Sequence, residues 1–165
     1  MSTRKAVRAA AVLAVLMAVP PLASAQKAVF IVRHAEKVNE SEDPLLSAAG
    51  RTRAKALARR LGSAGVKAVY VTEFKRTRLT AAPLARALGL TPIVIPAPAS
   101  QELVDRIRTD NPSDVVLVVG HSNSVPKILA LLGDTGPIDI GDEYDNLFVV
   151  VPRAGGPPTV LRLKY

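Results

Sequence analysis

The chain of 165 residues has no cysteine and no tryptophan, only two histidines, and six aromatics made up of three Tyr and three Phe. Without cysteine there is no disulfide framework, no thiol nucleophile and no thiolate metal site, so packing must hold the fold together. The few aromatics are not interleaved with the basic residues, which argues against a stacking surface for single-stranded nucleic acid. No Gly-x-x-x-x-Gly-Lys and no Gly-x-Gly-x-x-Gly occurs, so neither nucleotide-loop reading applies. Asp139, Asp142, Glu143 and Asp145 form an acidic cluster, but without the spacing of a calcium loop, and they read as a solvated loop with no metal.

What the chain does have begins with a leader pattern. Arg4, Lys5 and Arg8 precede an uncharged apolar run from Ala9 to Val19, and Ala23-Ser24-Ala25 supplies small residues for cleavage. Residues 1–25 therefore read as a secretory signal peptide. The apolar run is short for a membrane span, which needs about 20 residues. No cysteine follows it, so lipoprotein anchoring is excluded. The expectation is an exported, periplasmic or secreted protein with no stable membrane insertion after cleavage.

Cleavage after Ala25 leaves Gln26 to Tyr165, 140 residues, the size of one domain. The formal charge of +8 falls to +5, because three of the 22 Lys and Arg lie in the leader and 14 Asp and Glu lie outside it. That balance favours anionic partners without choosing among them. Nucleic-acid binding by basicity alone is the least favoured of these.

Ala28 to Lys37 is the stretch around which the rest is organised. Its β-branched apolar run stops at Arg33-His34, so a buried strand delivers a guanidinium and an imidazole to its C-terminal edge. Open α/β sheets place ligands at that edge. The second histidine, His121, follows another apolar run, Val115 to Val119 plus Gly120, and two strands thus aim two imidazoles at one place.

Between and beyond these strands the periods alternate. Val38 to Pro44 reads as a loop, and Ser47 caps a helix with Ala54, Leu57, Ala58 and Leu61 on its apolar side, stopped by Gly62 and Gly65. Val66 to Val71 is a strand. Ala81, Leu84, Ala85 and Leu88 mark a helix ended by Gly89, and Pro83 predicts that it starts near Leu79 or kinks there, leaving Arg76 at a loop-to-helix junction. Ile93 to Ile95, flanked by prolines, suits an edge strand. A helix from Ser100 to Arg108, the strand Val115 to Val119, and a helix through Ile128, Leu129, Leu131 and Leu132 follow, the last closed by Gly133. Leu147 to Val151 and Thr159 to Leu163 close the chain as a hairpin. This alternation predicts one three-layer α/β/α domain with a largely parallel central sheet.

Two imidazoles and two arginines at one sheet edge can carry phosphoryl chemistry. Neutral His34 is a nucleophile, and Arg33 and Arg76 offer fork-shaped donors to the oxygens of a tetrahedral group. His121 adds a further donor, and Ser122 and Asn123 open a helix whose free N–H groups suit an anion.

Three segments then carry a family resemblance. Arg33-His34-Ala35-Glu36 resembles the Arg-His-Gly-Glu signature of the histidine phosphatase superfamily, branch 1, which contains phosphoglycerate mutases and small SixA-like phosphatases. Thr72 to Ala81, with Arg76, Thr80 and Ala81, is similar to the second motif, and Gly120-His121-Ser122-Asn123 to the Gly-His motif. The resemblance implies the phosphoglycerate mutase-like fold, phosphorylation of His34, and a pocket completed by Arg33, Arg76 and His121. His121 followed by Ser is similar to the mutase branch rather than the acid phosphatase branch.

Two departures accompany the resemblance. Ala35 stands where the family has glycine, and no carboxylic acid is placed for the leaving group: Glu102, after the third strand, is the first candidate, with Glu73, Glu143 and Asp145 as others. Glu36 and Lys37 read as a pair at the pocket lip. The function read from the sequence is metal-independent and cofactor-free hydrolysis of phosphorylated small molecules through a phosphohistidine on His34, on small phosphomonoesters or phosphorylated envelope components. The alternatives are a non-catalytic phosphate-binding domain, a phosphohistidine phosphatase or a mutase. Oligomeric state is not readable from the sequence.

Overall fold

A computed structural model describes residues 27–165. The expected leader, residues 1–25, lies outside the described residues.

Six strands and four helices follow in order: β1 (Ala28–Arg33), α1 (Ala48–Leu61), β2 (Val66–Val71), α2 (Lys75–Leu88), β3 (Ile93–Val94), α3 (Ser100–Asp110), β4 (Val115–Gly120), α4 (Ser124–Leu131), β5 (Asn146–Val151) and β6 (Thr159–Lys164). They build one sheet in the order β3-β2-β4-β1-β5-β6. The first four strands are mutually parallel where they pair, β5 runs antiparallel to β1, and β6 antiparallel to β5. The mixed, mostly parallel sheet follows from the connections: helices return the chain for parallel pairing, and the short 152–158 turn permits only a hairpin.

The period-two alternation of the strands sorts the core into two layers. Val29 and Ile31 of β1 and Val116 and Val118 of β4 pack with Leu103, Val104 and Ile107 of α3 and Val125, Ile128 and Leu129 of α4. On the opposite face Val32, Leu117 and Val119 pack with Leu57 and Leu61 of α1 and Ala81 and Leu84 of α2. Each fully buried Leu or Val contributes about 1.5–3 kcal/mol of transfer free energy, so these layers supply the stability that disulfides do not. Ser47 caps α1 as expected, its side chain accepting from the Gly50 amide.

The structure corrects the start of α2. The helix begins at Lys75 and runs through Pro83 without interruption. Phe74 at its N-cap offers no side-chain cap, but the Lys75 amide donates to Asp43 Oδ1 at 2.7 Å, a cap borrowed from the distant 38–46 loop. Thr77 and Thr80 bond back to the Phe74 and Arg76 carbonyls, which satisfies their hydroxyls within the helix. β3 is an edge strand, as its prolines suggest.

Gly50 is fixed by a close approach: a Cβ there would stand 2.3 Å from the Glu36 carbonyl oxygen. The first turn of α1 therefore lies directly against the segment that follows β1. No helix among the described residues is long and apolar enough to cross a membrane.

Candidate active site

The C-terminal ends of β1, β2 and β4 meet at one edge of the sheet, because β4 lies between β1 and β2 in parallel register. Arg33 pairs with Gly120 at the last rung, and the His34 amide continues the ladder by donating to the Gly120 carbonyl at 2.9 Å. His34 and His121 thus leave adjacent strands at the same level. Their ring centroids are 5.4 Å apart, edge to face, and both side chains are buried.

A cleft of about 510 Å³ opens over them, lined by Arg33, His34, Lys37, Phe74, Arg76, Ala97, His121, Ser122 and Asn123. All six core residues expected from the sequence, Arg33, His34, Arg76, His121, Ser122 and Asn123, are brought together there.

His34 has a defined tautomer. Its Nδ1 lies 2.8 Å from the Ala35 carbonyl oxygen, an atom that can only accept, so the neutral ring carries its proton on Nδ1 and keeps the lone pair on Nε2. Burial first, and then the charges of His121, Arg76 and Arg33, lower its pKa to about 4, against the opposing pull of the carbonyl. The imidazole is therefore an unprotonated nucleophile at neutral pH.

Ala35 makes the loop rather than straining it. Its methyl is fully buried against Leu46 and Ala54, and its amide donates to Thr80 Oγ1 at 2.9 Å. That bond ties the end of β1 to α2 and gives Thr80 a structural reason for its place in the second motif.

The two arginines are held in parallel ways. Arg33 donates from Nη1 to the Gly141 carbonyl at 3.2 Å and lies over the Tyr144 ring at 4.2 Å. Arg76 donates from Nη1 to the Glu42 carbonyl at 2.9 Å and lies over the Phe74 ring at 4.1 Å. In both, the buried Nε has no hydrogen-bond partner among the described residues. Buried donors without partners are costly, and two of them beside two imidazoles make an arrangement suited to an oxyanion.

His121 is held from behind. Its Nε2 is hydrogen-bonded to Thr72 Oγ1 at 3.0 Å, and its amide donates to Ser124 Oγ at 2.9 Å. Gly120 is required for the second bond, since a Cβ there would stand 2.9 Å from Ser124 Oγ. Burial, then Arg76 and Arg33, lower the His121 pKa to about 4.

The carboxylates fall differently from expectation. Glu102 lies exposed in the first turn of α3 and does not line the cleft, because the loop after β3 places Ala97 at the rim and starts α3 beyond it. Glu73 is turned to the Ala97 amide, which donates to it at 2.8 Å. Glu143 and Asp145 pair with Lys164. No carboxylate is among the lining residues.

Glu36 and Lys37 do not pair with each other at the lip. Glu36 receives a two-pronged contact from Arg53 of α1, with Nη2 to Oε1 at 2.6 Å and Nε to Oε2 at 3.0 Å. Burial opposes its ionisation, but the Arg53 hydrogen bonds lower its pKa on balance. Lys37 turns into the cleft wall and pairs with exposed Glu40. The hydrogen bond from Lys37, with smaller pulls from Arg33 and His34, lowers the Glu40 pKa, so Glu40 is a poor proton donor.

Phe74, Tyr144 and the Thr72–Thr77 pair are the site residues that sequence reasoning missed, while Lys37, expected at the lip, lines the cleft. The only signal for Phe74 and Thr72 was their position inside the second motif; Tyr144 reaches Arg33 from the acidic loop before β5.

Residues 29–97 match the profile of the histidine phosphatase superfamily, branch 1. Among solved structures, the chain is similar to the protein histidine phosphatase SixA complexed with tungstate, at 21% identity over 83% of this chain and 96% of that one, with a TM-score of 0.69. It is also similar to a mycobacterial glucosyl-3-phosphoglycerate phosphatase, at 15% identity over 84% and 98%, TM-score 0.64. A third, mycobacterial hydrolase 1, stands at 18% identity over 75% and 92%, TM-score 0.60. No curated protein sequence gives a significant match. The shared fold is the phosphoglycerate mutase-like one.

Proposed function

The chain belongs to the histidine phosphatase superfamily, branch 1, and from that premise we propose that it is a phosphatase working through a phosphohistidine on His34. The observation that carries this reading is the juxtaposition of a tautomer-fixed, neutral His34 with the unpartnered Nε donors of Arg33 and Arg76.

The chemistry is a two-step transfer. His34 Nε2 attacks phosphorus in line, the N–P bond forms as the bond to the leaving atom breaks, and the leaving group departs with its electron pair. Arg33 and Arg76 bind the equatorial oxygens with preorganised donors and stabilise their charge. The stacked Phe74 and Tyr144 rings hold those guanidinium planes in place. Water then attacks phosphorus, the N–P bond breaks, and phosphate leaves with His34 restored. His34 needs no metal for either step.

The substrate class follows from the leaving-group side. With no carboxylate lining the cleft, substrates whose leaving group departs without strong protonation are favoured, such as aryl phosphates and phosphoramidates. Small phosphomonoesters or phosphorylated envelope components are the proposed natural class, given the leader pattern and the export it implies. The same lack of a lining carboxylate favours one other reading, a domain that binds phosphate without turnover.

The test is phosphate release from p-nitrophenyl phosphate by the purified protein in EDTA, with His34→Ala as control. EDTA-resistant release lost in the variant supports the proposal. No release from a folded protein that binds inorganic phosphate supports the binding-only reading.

A further inference from the structure

Behind His121 lies a buried chain of hydroxyls that ends in the backbone. Thr72 Oγ1 lies 3.0 Å from His121 Nε2 and 3.0 Å from Thr77 Oγ1, and Thr77 Oγ1 lies 2.9 Å from the Phe74 carbonyl oxygen. The Thr72 amide donates to Thr77 Oγ1 at 3.1 Å, and the Phe74 amide approaches Thr72 Oγ1 at 3.4 Å. Thr72 and Thr77 are both buried, Thr77 completely.

Each hydroxyl has one proton, and the far end of the chain is a carbonyl that can only accept. Thr77 therefore donates to Phe74, Thr72 donates to Thr77, and Thr72 is left to accept from His121. In this order each hydroxyl has one proton to give and accepts twice, the Thr77 proton lying between the Phe74 carbonyl at 2.9 Å and the Thr72 carbonyl at 3.2 Å, both of which can only accept. The reverse order leaves the 2.9 Å approach of Thr77 to the Phe74 carbonyl without a proton, which is costly at a buried site.

We propose that Thr72 and Thr77 are positioning residues that fix neutral His121 as its Nε2–H tautomer, leaving Nδ1 as the proton acceptor that faces the cleft. This rests on the proposed phosphohistidine reading and deepens it. His121 then serves the hydrolytic step. As water attacks the phosphoryl group on His34, the new O–P bond forms, the N–P electron pair returns to His34 Nε2, and the water proton passes to His121 Nδ1. The resulting imidazolium keeps its second N–H on Thr72 and later releases the proton with the departing phosphate or to solvent. The 5.4 Å separation of the ring centroids keeps His121 within reach of a group carried by His34, and the cleft offers no lining carboxylate to compete for the role.

The Thr72 hydroxyl is necessary for this relay and its methyl group is dispensable. Thr72→Ser retains the relay, whereas Thr72→Val removes it while preserving shape. The first measurement is the 15N spectrum of the His121 ring at neutral pH: a protonated Nε2 with a bare Nδ1 is expected, and a protonated Nδ1 overturns the proposal.

The second measurement is single-turnover kinetics with p-nitrophenyl phosphate, following nitrophenolate release and phosphate release separately. Thr72→Val is expected to slow phosphate release by roughly 10²-fold, within the range of a lost general base, with nitrophenolate release much less affected and Thr72→Ser near wild type. Equal slowing of both steps, or no rescue by serine, overturns it. Failure of the wild type to form any phosphoenzyme refutes the phosphohistidine reading instead, and the spectrum still decides the tautomer.

Discussion

His34 and His121 stand edge to face with their ring centroids 5.4 Å apart, delivered by neighbouring parallel strands whose last rung pairs Arg33 with Gly120. Backbone groups set the proton on His34, since the Ala35 carbonyl takes Nδ1–H and frees Nε2. The site is therefore preorganised by the sheet ladder and by single backbone bonds more than by flexible side chains.

The arginine clamp is geometric. Arg33→Lys and Arg76→Lys keep the charge but lose the fork and the ring stacking, so each is expected to lower kcat/KM for p-nitrophenyl phosphate by roughly 10²-fold. Steady-state kinetics of the two variants checks this, and wild-type values in either would remove that arginine from the clamp.

Tyr144 and Phe74 act through the arginines they carry. Tyr144→Leu is expected to cost about 5-fold in kcat/KM, in line with loss of roughly 1 kcal/mol of cation–π contact, with little change in thermal stability because the loop residue covers Arg33 rather than the core. Parallel kinetics and melting curves test the separation.

The histidines set the pH dependence. Both have pKa values lowered to about 4 in the folded state, so the acid limb of kcat/KM, corrected for the ionisation of the substrate phosphate, is expected near pH 4 rather than near the ordinary 6.5. The sign for folding follows from the same shifts. The unfolded chain binds protons first, so stability is full above about pH 6.5 and is lost as pH falls towards 4. Melting temperatures across this window should fall less in His121→Gln than in wild type.

The leaving group is the place where acid catalysis is thin. Glu102→Gln is expected to change turnover less than twofold, because Glu102 is exposed on α3 away from the cleft lining. Alkyl phosphates are expected to react slower than aryl phosphates by roughly the 10²–10⁴-fold that a general acid contributes. A substrate series ordered by leaving-group pKa measures this, and a flat series would reveal a proton donor.

The sequence announced β1 and β4 because both are apolar runs rich in β-branched residues that lead directly into a histidine, and adjacent parallel strands made the convergence of His34 and His121 a consequence of topology. Arg76 was legible from the motif. The start of α2 was not, because the cap on Lys75 comes from Asp43, more than thirty residues earlier in the chain. Tyr144 was equally hidden: its position over Arg33 depends on how the 134–146 segment returns to β5. Glu102 was misplaced because spacing after β3 does not reveal that the loop spends its length at Ala97. Ala35 reads as a departure in the sequence, yet its methyl completes a small apolar cluster with Leu46 and Ala54.

The most direct test of the account is to quench the purified protein in alkali during turnover of p-nitrophenyl phosphate and locate the phosphoryl group by peptide mass spectrometry. The account predicts an acid-labile, alkali-stable phosphoryl group on the peptide containing His34, absent from His34→Ala, which is also inactive. Turnover that persists in His34→Ala, or a phosphoryl group found on another residue, would contradict it.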